Sequence, residues 1–282
     1  MMAPMQPLVI ALVLGAALLH AGWNAVLRGR RDLFWSITVM SLCSAAVALP
    51  FALWLPKPAP ASWPYVAISA AMQIAYCVLL VRAYRDADLG QAYPVARGAS
   101  PLLVTLGAAV FAGEHLGLLA LAGVALVSAG ILGLASGRGR LDVRSLVAAL
   151  ACGAMIAGYT VSDGLGSRLS GRPLSYSAWV FLSQGAPMPL LFLALRGPLR
   201  IAPGDPETFK ALAAGLVSML AYGVVIWALS LSPMGAVSAL RETSILFAAA
   251  LGAVILKEQL SPVRMLWCGC IAGGAACLSL GS

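Results

Sequence analysis

The chain has 282 residues, of which 61% are hydrophobic and only 10% are charged. A soluble domain is closer to half apolar and about a quarter charged, so this composition excludes a soluble enzyme and leaves no length for a separate soluble domain. The net charge of +8 comes mainly from basic residues in short loops between apolar runs, which is typical of membrane topology rather than of nucleic-acid binding. We therefore expect an integral membrane protein, surrounded by lipids and without a nucleic-acid partner.

Ten apolar segments reach the roughly 20 residues that a helix needs to cross the hydrocarbon. They lie at residues 8–27, 33–54, 64–84, 91–112, 117–136, 146–166, 175–195, 211–231, 234–255 and 263–281. The runs are continuous rather than alternating, which excludes a β-barrel. The sequence predicts an all-α integral membrane protein with ten transmembrane helices.

The loop charges predict an orientation. Basic residues of the even-numbered loops are Lys57, Arg168 and Arg172 only. The odd-numbered loops hold thirteen: Arg28, Arg30, Arg31, Arg82, Arg85, Arg138, Arg140, Arg144, Arg196, Arg200, Lys210, Lys257 and Arg264. Because cytoplasmic loops carry an excess of Lys and Arg, the odd loops are predicted to be cytoplasmic and both termini to lie outside, in a multi-pass plasma-membrane protein.

Two stretches of the chain repeat each other. "QAYPVARGASPLLVTLGAAVFAGEHL", which begins at Gln91, aligns without a gap with "GAVSALRETSILFAAALGAVILKEQL", which begins at Gly235. In this alignment Arg97 falls on Arg241. We infer that the chain contains two copies of one unit.

The copies are predicted to occupy residues 1–137 and 138–282, with five helices each. Five is an odd number, so the second copy must enter the membrane in the inverted orientation. Inverted repeats are typical of secondary transporters that work by alternating access, with the substrate site near the midplane between the copies.

Several motifs resemble those of a known family. "LLHAGWNAVLR", "YPVARG", "LRETSILFAAALG" and the turns "GEHL" and "KEQL" are similar to the EamA repeats of the drug/metabolite transporter superfamily. The resemblance implies a transporter of the bacterial inner membrane, a monomer or homodimer, that exports a small polar metabolite such as an amino acid or organic anion. Small multidrug relatives carry a glutamate in the first helix, where this chain has only His20 and Asn24, so their proton–cation antiport is not implied.

Two arginines, Arg97 and Arg241, are predicted to lie near the membrane midplane on either side of it. A charge there costs at least about 2.5–3.5 kcal/mol, so each needs a partner. One alternative is an anionic group of the substrate, which a guanidinium holds with two parallel hydrogen bonds, and we favour Arg97 for this role. The other is ion pairing, with Asp163 expected beside Arg241 and Glu242 beside Arg97. If protons drive transport, one of these two carboxyl groups is expected to carry them.

Further polar and aromatic residues of the helices are predicted to line the substrate site. They are His20, Trp23, Asn24, Gln73, Tyr76, Tyr93, Tyr159 and Tyr222. His20 and Asn24 are four residues apart and therefore share a helix face. The alternative for His20, Asn24 and Gln73 is interhelical hydrogen bonding, at about 0.6 kcal/mol each.

Proline and glycine predict interruptions and packing faces. Interruptions are expected in the fourth helix at Pro94, Gly98 and Pro101 and in the seventh at Gly185, Pro187 and Pro189. Helix packing, within the protein or in a dimer, is expected at Gly269 with Gly273 and at Gly133 with Gly137. Glu114 and Glu258 are expected to organise the turn into the next helix.

Catalytic chemistry finds little support in the sequence. The chain has two histidines, no HExxH or GxSxG motif and no nucleotide-binding loop, so we expect neither an enzyme nor a metal or other cofactor. The six cysteines all lie in apolar segments and are interpreted as packing residues. The alternatives to a transporter are an intramembrane enzyme acting on a lipid or peptide, and a membrane subunit that does not transport.

Overall fold

Helices make up all the regular structure in the computed structural model, which describes residues 5–27, 32–86, 89–136, 143–255 and 261–281. The helices are α1 Pro7–Leu27, α2 Leu33–Trp54, α3 Trp63–Asp86, α4 Leu89–Ala112, α5 Leu118–Ser136, α6 Val143–Ser170, α7 Pro173–Gly185, α8 Met188–Arg196, α9 Pro206–Leu231, α10 Met234–Glu242, α11 Ser244–Ile255 and α12 Pro262–Gly281. One turn of 3₁₀ helix, Pro60–Ser62, precedes α3.

These helices form ten membrane segments, because α7 with α8 and α10 with α11 are the two halves of broken helices. Within the described ranges, nine segments are long and apolar enough to cross a membrane, and α5 contributes a shorter apolar stretch, Leu118–Leu134. The predicted all-α fold with ten helices is thus confirmed.

The seventh segment is interrupted as predicted. Helix α7 ends at Gly185 and α8 begins at Met188, with Pro187 between them. Pro187 has no N–H to donate to the preceding turn, which favours a break. A Cβ on Gly185 would lie 2.2 Å from the Ser41 carbonyl oxygen, so a glycine here lets α2 approach the break closely.

The prediction for the fourth segment was wrong, since α4 runs unbroken from Leu89 to Ala112 with Pro94 and Pro101 inside it. Pro101 cannot donate to the carbonyl of Arg97. The Ser100 hydroxyl donates to that oxygen instead, at 3.3 Å, and this substitute bond lets the helix continue.

The ninth segment contains a break that the proline and glycine pattern did not indicate. Helix α10 ends at Glu242 and α11 starts at Ser244. The amide of Thr243 donates to Leu240 O at 3.1 Å and its hydroxyl donates to the same oxygen at 2.7 Å. Short-range bonds of this kind let a Thr side chain compete with the regular helix pattern, and they tighten the chain beside Glu242.

Helices of one copy pack mainly against helices of the other copy. Helix α3 packs against α6, and its counterpart α9 packs against α1. Helix α4 packs against its counterpart α10, and α2 against α7 and α8. The most extensive interface joins α5 to its counterpart α12. The copies therefore interleave, and the core between them contains buried side chains from both.

Glycines bring α5 and α12 into backbone contact. A Cβ on Gly123 would lie 2.8 Å from Gly274 O, and one on Gly274 would lie 2.7 Å from Gly123 O. Farther along α5, a Cβ on Gly133 would overlap the Trp267 ring at 2.2 Å, so the packing predicted for Gly133 is observed. Gly137 lies outside the described residues.

Packing within the chain was wrongly predicted for Gly269 and Gly273. Both are exposed, and a Cβ added to either would meet nothing within 4 Å. The contact face of α12 instead contains Gly274, one residue further along the helix. The other alternative, that Gly269 and Gly273 pack in a dimer, stays a prediction.

Candidate substrate-binding site

Arg97 lies inside the helix bundle, 5% exposed, and each nitrogen of its guanidinium has a partner. Its Nε donates to Glu242 Oε2, its Nη2 donates to Ser244 Oγ at 2.8 Å, and its Nη1 lies 2.7 Å from His20 Nε2. A guanidinium can only donate, so His20 Nε2 accepts this bond and the imidazole is neutral. Of the two alternatives for Arg97, the ion pair with Glu242 is therefore present.

Arg241 shares the same carboxylate. Its Nη2 donates to Glu242 Oε1 at 3.3 Å, so the fully buried Glu242 bridges two guanidiniums that come from equivalent positions of the two copies. The expected ion pair of Arg241 with Asp163 is not formed. The Arg241 carbon Cζ instead lies 6.0 Å from the centroid of the Tyr222 ring, which is cation–π distance.

The Nε of Arg241 is a buried hydrogen-bond donor without an acceptor among the described residues. Arg241 is 6% exposed. A buried donor without an acceptor is costly, and a charged one especially so. This N–H is therefore available to a ligand.

Asp163 is fully buried and is held by hydroxyl groups. Tyr222 donates its OH to Oδ2 at 2.6 Å, and Tyr176 donates to Oδ1 at 3.2 Å. On the adjacent helix α3, Gln73 Nε2 donates to Ser69 Oγ at 2.9 Å.

Half-buried aromatic rings lie next to these charges. The Trp23 ring meets the His20 ring edge-on at a centroid distance of 5.0 Å. Tyr159 lies between two other tyrosines, 6.3 Å from Tyr76 and 5.8 Å from Tyr222. Together the rings offer an amphipathic lining beside the guanidiniums.

Two other candidate residues have a different outcome. The side chain of Tyr93 lies outside the described residues. Asn24 Nδ2 donates to His20 O, 2.8 Å away on the same helix, and no interhelical bond of this amide is recorded among the described residues. A substrate contact of Asn24 stays a prediction.

Sequence reasoning missed three side chains of the site, Ser69, Tyr176 and Ser244. Ser69 lies four residues before Gln73, and that spacing on one helix face was an available signal. Ser244 occupies the position equivalent to Ser100 in the repeat, but only the break at Thr243 brings its hydroxyl to Arg97. Tyr176 carried no signal, because a single tyrosine in an apolar segment is common.

A second ionic cluster joins the two copies at the predicted outer side. Glu114, at the end of α4, accepts a hydrogen bond from the Met234 amide at 2.8 Å, and its other oxygen lies 2.6 Å from Arg168 Nη2. Arg168 also donates to Leu229 O at 2.9 Å and to Ser232 O at 2.8 Å. We call Glu114, Arg168 and the α10 N-terminus the outer cluster.

Its geometry changes the expected role of Glu114. This side chain does not organise its own turn but binds the first turn of a helix in the other copy. Such a position is favourable for an acidic group, because helix N-termini present unpaired N–H groups and a positive dipole end. Glu258, its counterpart, lies outside the described residues.

Within the described ranges, no group of three or more His, Cys, Asp and Glu side chains is placed to hold a metal ion. Glu242 neutralises one of the two guanidiniums that it contacts, so these three groups together keep one positive charge.

Comparisons with known proteins agree with the fold. The model of the EamA-like transporter family matches twice, over residues 7–136 and 143–280. A protein of known crystal structure superposes with a TM-score of 0.76 and 22% sequence identity, covering 97% of this chain and 96% of the other. No functionally curated protein matches the chain significantly.

The two family matches span nearly the whole chain, one for each copy, and they coincide with the helices that contain the buried charges. The chain belongs to the EamA-like transporter family, and it is a multi-pass membrane protein that transports small substrates.

Proposed function

We propose that this protein exports a small polar metabolite that carries a carboxylate, either an amino acid or an organic anion, across a bacterial inner membrane. The two copies would rock about the buried charges, exposing them to each side in turn. The observation that carries the proposal is the unpartnered Nε of Arg241, a buried cationic donor.

The choice of Arg241 over Arg97 follows from their hydrogen bonds. All three nitrogens of Arg97 already have protein partners, whereas among the described residues Arg241 forms a hydrogen bond only through its Nη2. A substrate carboxylate that accepts from Arg241 Nε would satisfy this donor. It would also neutralise the positive charge that Glu242 leaves uncompensated.

The neighbouring side chains favour a small substrate. Tyr222 and Tyr159 offer ring faces to aliphatic or aromatic groups, and half-buried Tyr76 and Trp23 extend this lining. Aromatic groups with a few placed polar groups are typical of small-molecule sites.

The test is transport by the purified protein in liposomes, using radiolabelled amino acids and mono- and dicarboxylic acids, each beside its uncharged amide. Arg241→Lys keeps the charge but loses the planar donor set. Loss of a charge-assisted hydrogen bond of about 1.5–3 kcal/mol corresponds to roughly a tenfold to hundredfold weaker apparent affinity.

The matched control is Arg196→Lys, since Arg196 is an exposed residue at the end of α8. It should leave transport unchanged. Equal transport of acids and amides, or wild-type affinity in a folded Arg241→Lys protein, would contradict the proposal.

A further inference from the structure

We propose that Asp163 is the proton-binding site of this transporter, a carboxyl group that alternates between its ionised and protonated forms, while Glu242 serves as the ion-pair partner of the two arginines. The role in transport rests on the proposed function. The protonation itself does not, and it is testable without any substrate.

The partners of Asp163 suit both protonation states. The carboxyl group accepts hydrogen bonds from the hydroxyls of Tyr222 and Tyr176. A hydroxyl group is both donor and acceptor and rotates to suit its neighbour. Both donate to the ionised carboxylate. Tyr176 also lies 3.4 Å from Ser162 O, so it can accept from the protonated acid and donate to this carbonyl instead.

Asp163 lacks a counter-ion at contact distance among the described residues, since both buried arginines pair with Glu242 instead. A fully buried carboxylate without a counter-ion is costly inside a membrane, and binding a proton removes this cost.

The charged and titratable groups that face Asp163 are few. They are Tyr176 on α7, Tyr222 on α9, Arg241 on α10 and Tyr159 on α6 itself. Helix α3 contributes neutral Ser69, and α4, which also packs on α6, carries Arg97, whose hydrogen bonds go elsewhere. In the described part of the chain, no cation lies at ion-pair distance from Asp163.

Glu242 has the opposite surroundings. Its two oxygens face Arg97 Nε and Arg241 Nη2, and a guanidinium has only donors. A proton on Glu242 would therefore point at another N–H, and it would leave both guanidiniums without a counter-charge inside the bilayer. The geometry therefore suits Glu242 to ion pairing.

Tyr222 connects the proton site to the anion site. Its hydroxyl contacts Asp163, and its ring lies beside the Arg241 guanidinium. With Asp163 ionised, the two arginines and two carboxylates sum to zero. Protonation leaves one net positive charge, so a proton and an anion should favour each other's binding, and the effect is reciprocal. An accumulated anion would then leave the cell together with a proton.

The deciding measurement is infrared difference spectroscopy of the full-length protein in liposomes between alkaline and acidic buffer. The wild type should gain the C=O band of a buried protonated carboxylic acid as the pH falls. Asp163→Asn should lose this band. Glu114→Gln, which alters a carboxyl group of the outer cluster, should keep it. Survival of the band in Asp163→Asn, or its loss in Glu114→Gln, would overturn the proposal.

A second variant protects the test against misfolding. Tyr222→Phe removes the 2.6 Å contact but keeps the carboxyl group, so the band should remain while its frequency and midpoint shift. Ser279→Ala removes a hydroxyl group of α12 that donates to Ala275 O, far from this cluster; it is the control and should shift neither. An unshifted band in Tyr222→Phe would mean that the titrating group is not Asp163.

Transport supplies an independent readout. With a radiolabelled carboxylate as the probe, Asp163→Asn should still exchange it across the liposome membrane but should no longer accumulate it in response to a pH gradient. Accumulation as in the wild type would refute coupling through Asp163. If no carboxylate crosses even in the wild type, the proposed substrate class fails while the infrared band still decides the proton site.

Discussion

Removing Arg97 and Glu242 singly and together tests whether this ion pair holds the core of the site. Arg97→Ala deletes the hydrogen bonds to Glu242, His20 and Ser244, and with Asp163 ionised it leaves Arg241, Glu242 and Asp163 with one net negative charge. Breaking a buried pair in this way costs about 3–5 kcal/mol, and Glu242→Ala should cost a similar amount because it leaves two guanidiniums facing each other.

The double substitution restores charge neutrality, so its cost should be well below the sum. Independent effects would add to about 6–10 kcal/mol, whereas a shared charge defect predicts a coupling free energy of at least about 2 kcal/mol. The assay is unfolding by SDS in mixed micelles, followed by circular dichroism and by the yield of monodisperse protein. A coupling free energy near zero would refute the account of Arg97 as half of a structural pair.

A matched control pair is available on the surface. Lys210 Nζ lies 3.5 Å from Glu207 Oε1, and these side chains are 51% and 47% exposed. Exposed pairs of this kind contribute about 0.3–0.5 kcal/mol, so the same cycle on Lys210 and Glu207 should give a coupling too small to change the folded yield.

Three further predictions follow from other parts of the structure. Gly274→Ala should destabilise the protein, because the new Cβ meets the α5 backbone, whereas Gly273→Ala should be neutral in monomeric protein; equal unfolding midpoints in SDS would contradict this. Glu114→Gln removes the charge that faces Arg168 and the α10 N-terminus, which weakens the outer cluster. Single cysteines at buried site positions should then be labelled faster from the predicted outer side. An unchanged labelling rate would show that the outer cluster does not restrict access. A reporter that fluoresces only in the cytoplasm, fused after Ser282, should stay dark, and bright fluorescence would reverse the predicted orientation.

The sequence was sufficient for the helix count because each span needs a long apolar run, a signal that survives without tertiary information. It was insufficient for helix continuity. Pro101 is tolerated inside α4 because the neighbouring Ser100 supplies a bond, while the chain breaks at Thr243 without any proline or glycine. The continuous helix at Pro101 and the break at Thr243 both depend on which backbone oxygen a side-chain hydroxyl group binds. Helix propensity does not contain this information.

The charges of the site were found in the sequence, but not their pairing. The helical rise per residue places Arg241 and Asp163 at a similar depth in the membrane. Depth alone does not determine the direction in which each side chain points around its helix axis. The break after Glu242 lets this carboxylate reach both arginines, and Asp163 faces tyrosine hydroxyls instead. Partner choice therefore depended on a local deformation that the repeat alignment could not supply.

The glycine contact between α5 and α12 has a consequence for biosynthesis. Helix α5, Leu118–Ser136, enters the membrane long before α12, Pro262–Gly281, has been made. Lipid tails are as apolar as leucine, so the glycine face of α5 is stable in contact with lipid. Until α12 has been synthesised, this face is unpaired and other helices can contact it. The contact that joins the two copies most extensively is thus among the last to form.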